Sequence, residues 1–167
     1  MSRRRRSFRR SRRGISPVIS TIIIVAVAIA ISIAVAFWLG GITAIFTRFE
    51  KLEISTAYVD TDTNGWYVYL EVKNTGTTDA RITEILVNDK PLSTYTQAKW
   101  NYSKSDYPNT SDIDKDPGSI DIALSSGSTV YIGIYLDRAA GFSAGQSVTV
   151  TLHTAGGQDY PKTVALP

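Results

Sequence analysis

Few side chains in this sequence are equipped to do chemistry. Cysteine is absent and His153 is the single histidine. That excludes disulfides, a thiolate-ligated metal and a thiol nucleophile, and it leaves a His-based metal site or a Ser-His triad without its parts. Asp112-x-Asp114-x-Asp116 opens like a calcium loop. However, Pro117 stands where the turn glycine belongs and Ala123 where the bidentate glutamate belongs. A solvated acidic turn is the expectation there, with no metal. No phosphate-cradling glycine loop and no catalytic pair occurs elsewhere, so the sequence reads as non-enzymatic and without a cofactor. What remains is covalent modification. Asn101-Tyr102-Ser103 and Asn109-Thr110-Ser111 are both sequons, close together in the long polar stretch Pro91–Gly118. N-linked glycosylation is expected at Asn101 and Asn109.

The elements that must carry these groups are set by how charge is distributed. The chain has 167 residues and a net charge of +3. Residues 1–13 hold eight arginines and no acid, residues 14–47 hold no charge, and residues 48–167 hold the other 10 basic residues and all 15 acids. The basicity is confined to one terminal run, so the overall charge is no argument for nucleic-acid binding, and no nucleic-acid partner is expected.

The charge-free run is long enough to cross a bilayer. Val18 to Leu39 contains thirteen Val, Ile, Leu or Phe residues, which favour insertion by roughly 4–8 kcal/mol. As a helix it spans ~33 Å, against a hydrocarbon core of ~30 Å. It is too long for the apolar core of a secretory signal. The residues show no polar face, so such a helix must be covered on all sides. Small residues recur at Ala28, Ser32, Ala36, Gly40 and Ala44, with a second set at Ala26, Ala30 and Ala34, a spacing that lets other helices approach closely. Gly40-Gly41 is the expected site of a bend or local melting. Arginines before the span and mixed charge after it put the N-terminus in the cytoplasm and the remainder outside.

The junction between leader and helix reads Arg12-Arg13-Gly14-Ile15-Ser16-Pro17-Val18-Ile19. Ser16 is suited to cap the helix and Pro17 to its first position. This junction resembles that of the archaeal type IV pilins, whose short basic leader is a class III signal peptide related to that of the archaellins. The resemblance covers roughly residues 3–46. It implies cleavage between Gly14 and Ile15 by a prepilin-peptidase-type enzyme, with Ile15 as the mature N-terminus. It also implies a membrane-held precursor and a homopolymer packed through the N-terminal helices. Bacterial relatives usually carry a glutamate at the fifth mature residue, which is Ile19 here. Archaellins typically open on a different Gly-Ile-containing segment, so an adhesion pilus is favoured over a swimming filament. A membrane-anchored binding module using the helix only as an anchor stays open as the alternative.

Beyond the helix, apolar residues alternate. Trp66, Val68, Leu70 and Val72 share one face and Tyr67, Tyr69, Glu71 and Lys73 the other; Val130, Ile132, Ile134 and Leu136 form another set, as do Val148, Val150 and Leu152. Arg81–Asn88 reads as a strand of ambiguous phase, and Tyr160–Leu166 as the closing strand. The expectation is an α+β chain: a long hydrophobic N-terminal helix, then an antiparallel, immunoglobulin-like β-sandwich of about seven strands. The expected divisions are a removable leader at 1–14, the helix region at 15–53 and an extracellular domain at 54–167. Tyr67, Tyr69, Tyr131 and Tyr135 are expected to point outward, as is His153.

Overall fold

The computed structural model describes residues 17–46 and 48–167. The chain divides into two units, residues 1–46 and 47–167. The first contains α1, Pro17–Phe46. Proline opens it, as expected of a residue with preset φ and no N–H to lose. The helix runs unbroken through Gly40 and Gly41, so the expected melting point is absent. Two glycines cost ~2 kcal/mol at most, too little to stop a helix flanked by strongly apolar turns whose backbone groups pair best with each other.

The second unit contains nine strands among the described residues: β1 (Leu52–Thr61), β2 (Gly65–Asn74), β3 (Ala80–Val87), β4 (Lys90–Pro91), β5 (Lys99–Ser103), β6 (Ile122–Leu124), β7 (Thr129–Asp137), β8 (Ser147–Thr154) and β9 (Asp159–Ala165). One sheet has the order β1-β2-β7-β5, and the other β4-β3-β8-β9 with β6 also on β3. All pairings are antiparallel. With β1, β2, β3, β5, β7, β8 and β9 taken as strands A to G, the sheets are A-B-E-D and C-F-G, the immunoglobulin strand order. Two very short strands, β4 and β6, share the outer edge of β3.

The core lies where alternation places it. Trp66, Val68, Leu70 and Val72 from β2 meet Val130, Ile132, Ile134 and Leu136 from β7, with Val148, Val150 and Leu152 of β8 opposite, all buried. Two strands change phase midway. In β3 the register slips between Ile82 and Glu84. Ala80 and Ile82 face inward before the slip, Ile85 and Val87 after it. The extra residue, Thr83, is a bulge that reverses the alternation, which explains why Arg81–Asn88 had no single phase. Strand β1 does the same at Ser55: Leu52 and Ile54 turn inward before the bulge, Ala57 and Val59 after it. Strand β5 lies inside the stretch expected to be a polar loop, with Trp100 buried.

A buried asparagine closes one end of the sandwich. Asn74 donates to the carbonyls of Thr78 and Leu124, at 2.9 and 3.1 Å, and accepts from Gly76 N at 2.9 Å. The segment from Phe49 to Lys51 lies on the same turn: Thr75 and Gly76 donate to Lys51 O, and Thr77 N donates to Phe49 O. A Cβ on Gly76 would stand 2.6 Å from Lys51 N and from Phe49 O, so only glycine admits this contact. Asn74→Ala strips three bonds from a fully buried site and leaves two carbonyls unpaired, an expected loss of ~3 kcal/mol. Chemical denaturation of the full chain in detergent measures it.

Candidate functional site

Two surfaces remain after the core is built: the helix and the outer face of the first sheet. Along α1 the large apolar side chains are exposed, from Val18 at 64% to Trp38 at 65% and Phe37 at 79%. The span Pro17–Thr43 is long and apolar enough to cross a membrane. Three of its hydroxyls bond to the helix itself. Thr21 Oγ1 donates to Val18 O at 2.8 Å, Ser32 Oγ to Ala28 O at 2.7 Å and Thr43 Oγ1 to Leu39 O at 2.8 Å. These bonds satisfy three hydroxyl donors without water. Ala28, Ser32, Ala36 and Gly40 follow one i+4 row, and nothing lies within 4 Å of a Cβ built on Gly40. Such a row leaves a shallow groove along the helix. The side chain of Ala44 lies outside the described residues, as do Gly14, Ile15 and the cap expected at Ser16.

The outer face of the first sheet is built in cross-strand rows. One row runs Asp60–Tyr67–Tyr135–Lys99, the next Tyr58–Tyr69–Gly133–Asn101, and a third Thr56–Glu71–Tyr131–Ser103. Adjacent phenol rings touch: Tyr67–Tyr135 and Tyr58–Tyr69 centroids are both 4.9 Å apart. The segment after β5 folds back over the second and third rows. Tyr107 sits edge-on to Tyr58 and Tyr131, at 5.2 and 4.8 Å. Ile113 and Pro108 occupy the space above Gly133, where a Cβ would lie 2.5 Å from Ile113 Cδ1. So Tyr69, expected on an open face, is only 5% exposed. Tyr107, Pro108 and Ile113 were missed as packing residues. The available signal was Gly133, an isolated glycine between two isoleucines of a strand, which marks a close approach.

The same segment holds the second sequon, and β5 holds the first. Asn109 is exposed, and its Nδ2 donates to Asp112 Oδ2 at 3.0 Å. Asn101 lies within β5, half-buried, and its Nδ2 donates to the backbone carbonyl of Asp112 at 2.5 Å. The three aspartates go separate ways: Asp112 serves the asparagines, Asp116 pairs with Lys99, and Asp114 is exposed. Among the described residues no group of three or more His, Cys, Asp or Glu side chains converges on a metal position. His153 lies on the second sheet, with Nδ1 2.5 Å from Asp159 Oδ1.

Burial raises the phenol pKa values of Tyr58, Tyr67, Tyr69, Tyr107 and Tyr135. Tyr69 is pushed up to about 12, first by desolvation and then by Tyr58, Asp60 and Tyr67. Tyr135 is raised by desolvation and then by Asp137.

No family model matches the chain, and no curated protein matches it. Among solved structures it is similar to the archaellum periplasmic stator protein FlaG from Sulfolobus acidocaldarius, at 22% identity and a TM-score of 0.44, over 70% of this chain and 100% of that one. The FlaF–FlaG stator complex from the same organism matches at 22% identity and TM-score 0.43, over 70% of this chain and 90% of that one. The Iho670 flagellar-like filament matches at 14% identity and TM-score 0.40, over 90% of this chain and 98% of that one.

The raised tyrosines give a signed pH dependence. Between pH ~10 and ~12 the unfolded chain has lost phenol protons that the folded chain keeps, so stability present below pH ~10 falls as pH rises through this window. Denaturation series across that range are expected to show the decline, and Tyr69→Phe to make it shallower.

Proposed function

We propose that this chain is the repeating structural subunit of an archaeal type IV pilus-like extracellular filament, serving surface adhesion. The observation that carries the reading is the helix: large apolar side chains on every side, with the Thr21, Ser32 and Thr43 hydroxyls bonded to its own backbone. In the precursor it spans the membrane with the N-terminus cytoplasmic. Eight arginines in the leader hold it there, because they cannot follow the helix into an apolar bundle. A prepilin peptidase cuts between Gly14 and Ile15. The uncharged helix end then exchanges lipid for copies of itself along the Ala28, Ser32, Ala36, Gly40 row, and Ala44 extends that row. The β-domains remain outside. A motility filament built on the same helix is the finer alternative.

In this reading the N-linked glycan belongs on Asn109. Its side chain is exposed on the loop and bonds an exposed carboxylate, whereas Asn101 is half-buried within β5 with its Nδ2 held by the Asp112 backbone carbonyl. Intact mass is expected to show one glycan, lost in Asn109→Gln and kept in Asn101→Gln.

N-terminal sequencing of sheared surface fibres tests the reading. The expected first residue is Ile15, with this chain the dominant band. A Gly14 substitution that blocks processing is expected to abolish fibres and leave full-length protein in membranes. Full-length chain in the fibres, leader attached, would contradict the reading. Wild-type chain found only uncleaved in membranes would favour the anchored binding module.

A further inference from the structure

The row Asp60–Tyr67–Tyr135–Lys99 is the one the Tyr107 segment leaves uncovered, and a cleft of about 490 Å³ opens beside it. Its lining includes Ser93, Gln97, Lys99, Asp116 and Tyr135. The volume falls within the ~300–1,000 Å³ of small-ligand sites. The wall is preorganised. Tyr95 anchors the segment behind Gln97, its hydroxyl donating to Val87 O at 2.7 Å and its ring 5.1 Å from Phe142. Gln97 itself is held at φ 60°, in the left-handed region.

The chemistry selects a ligand class. The Tyr67 and Tyr135 rings, tilted 43° to one another, give a broad apolar surface with hydroxyl tips. Gln97 and Ser93 are exposed and supply both donors and acceptors. Lys99 and Asp116 form an ion pair at the rim, so the site offers one charge of each sign and no net attraction for an ion. The surroundings repel anions: Asp60 and Asp137 flank the row, and residues 48–167 carry 15 acids against 10 bases. A ligand with a C–H face, a rim of hydroxyls and no charge meets every one of these conditions.

We propose that Tyr67, Tyr135, Gln97, Ser93 and the Lys99–Asp116 pair form a binding site for a neutral hexose unit of a glycan chain. The site lies wholly in the β-domain and stands whether or not the helices polymerise.

The test uses the full chain, unassembled, in dodecylphosphocholine micelles, a detergent without sugar. NMR shifts are followed during titration with maltohexaose, cellohexaose and mannohexaose, and with an oligogalacturonate of the same length as the anionic comparison. At least one neutral hexaose is expected to move the Gln97, Lys99 and Tyr135 signals saturably. Tyr135→Ala is expected to weaken that binding at least ~10-fold, and Tyr135→Phe to keep it within ~3-fold. Should Tyr135→Ala not fold, the wild-type map decides alone. No shift at these residues with any neutral hexaose up to about 10 mM, shifts confined to other surfaces, or equal binding of the anionic oligomer would overturn the proposal. Surface fibres that carry this chain with its leader attached, with these shifts intact, would strike the filament reading and leave the site standing.

Discussion

The constraint on which the chain depends is that α1 presents large apolar side chains on every side. Fourteen large apolar side chains between Val18 and Leu39 face outward, and water is the one solvent they cannot occupy. Lipid and other helices of the same kind are interchangeable to them, because hydrocarbon tails are as apolar as valine and isoleucine. The difference between the two environments therefore comes from close packing and from charge. In the proposed assembly the alanine, serine and glycine row would supply the first, and loss of the arginine leader the second. The back-bonded Thr21, Ser32 and Thr43 lower the cost of keeping those hydroxyls away from water in either environment.

The β-domain solves a different problem. It has no disulfide, so its stability rests on burial between two sheets and on a few buried polar clasps. Asn74 is the main one, tying the β2 turn, β6 and the segment around Phe49 into one end of the sandwich. The sheet edges are also guarded. Lys162 turns inward on β9 and reaches Ile54 O at 3.4 Å, an inward charge that discourages edge pairing. On the far edge, Trp100 and Lys115 exchange backbone bonds at 3.1 Å, which occupies part of β5. A domain shielded in this way can be crowded at high local density without merging into its neighbours.

Much of this was legible in the residues, and the failures have physical causes. The helix was plain because a charge-free run of that length has few other fates. Strands β2, β7 and β8 were plain because their alternation is uninterrupted. Strand β3 was blurred by the Thr83 bulge, since one inserted residue moves every later side chain to the other face. Strand β5 was hidden by its composition: polar outward residues outnumber Trp100 and Tyr102, and only tertiary packing buries those two. The tyrosine face was half right. Alternation places phenols outward on neighbouring strands, yet nothing local tells that a distant segment returns to cover Tyr69. The sequons were legible as a pattern, but their difference in exposure was not, because it comes from the burial of β5 and the bond from Asn101 Nδ2 to the Asp112 carbonyl.

The exchange of lipid for sibling helices is most directly tested by a cryo-electron microscopy map of fibres built from this chain. The account predicts a continuous axial bundle of the 17–46 helices, with Ala28, Ser32, Ala36 and Gly40 at the closest helix–helix contacts. Fibres held together by β-domains alone, with the helices splayed apart or absent from the axis, would contradict it.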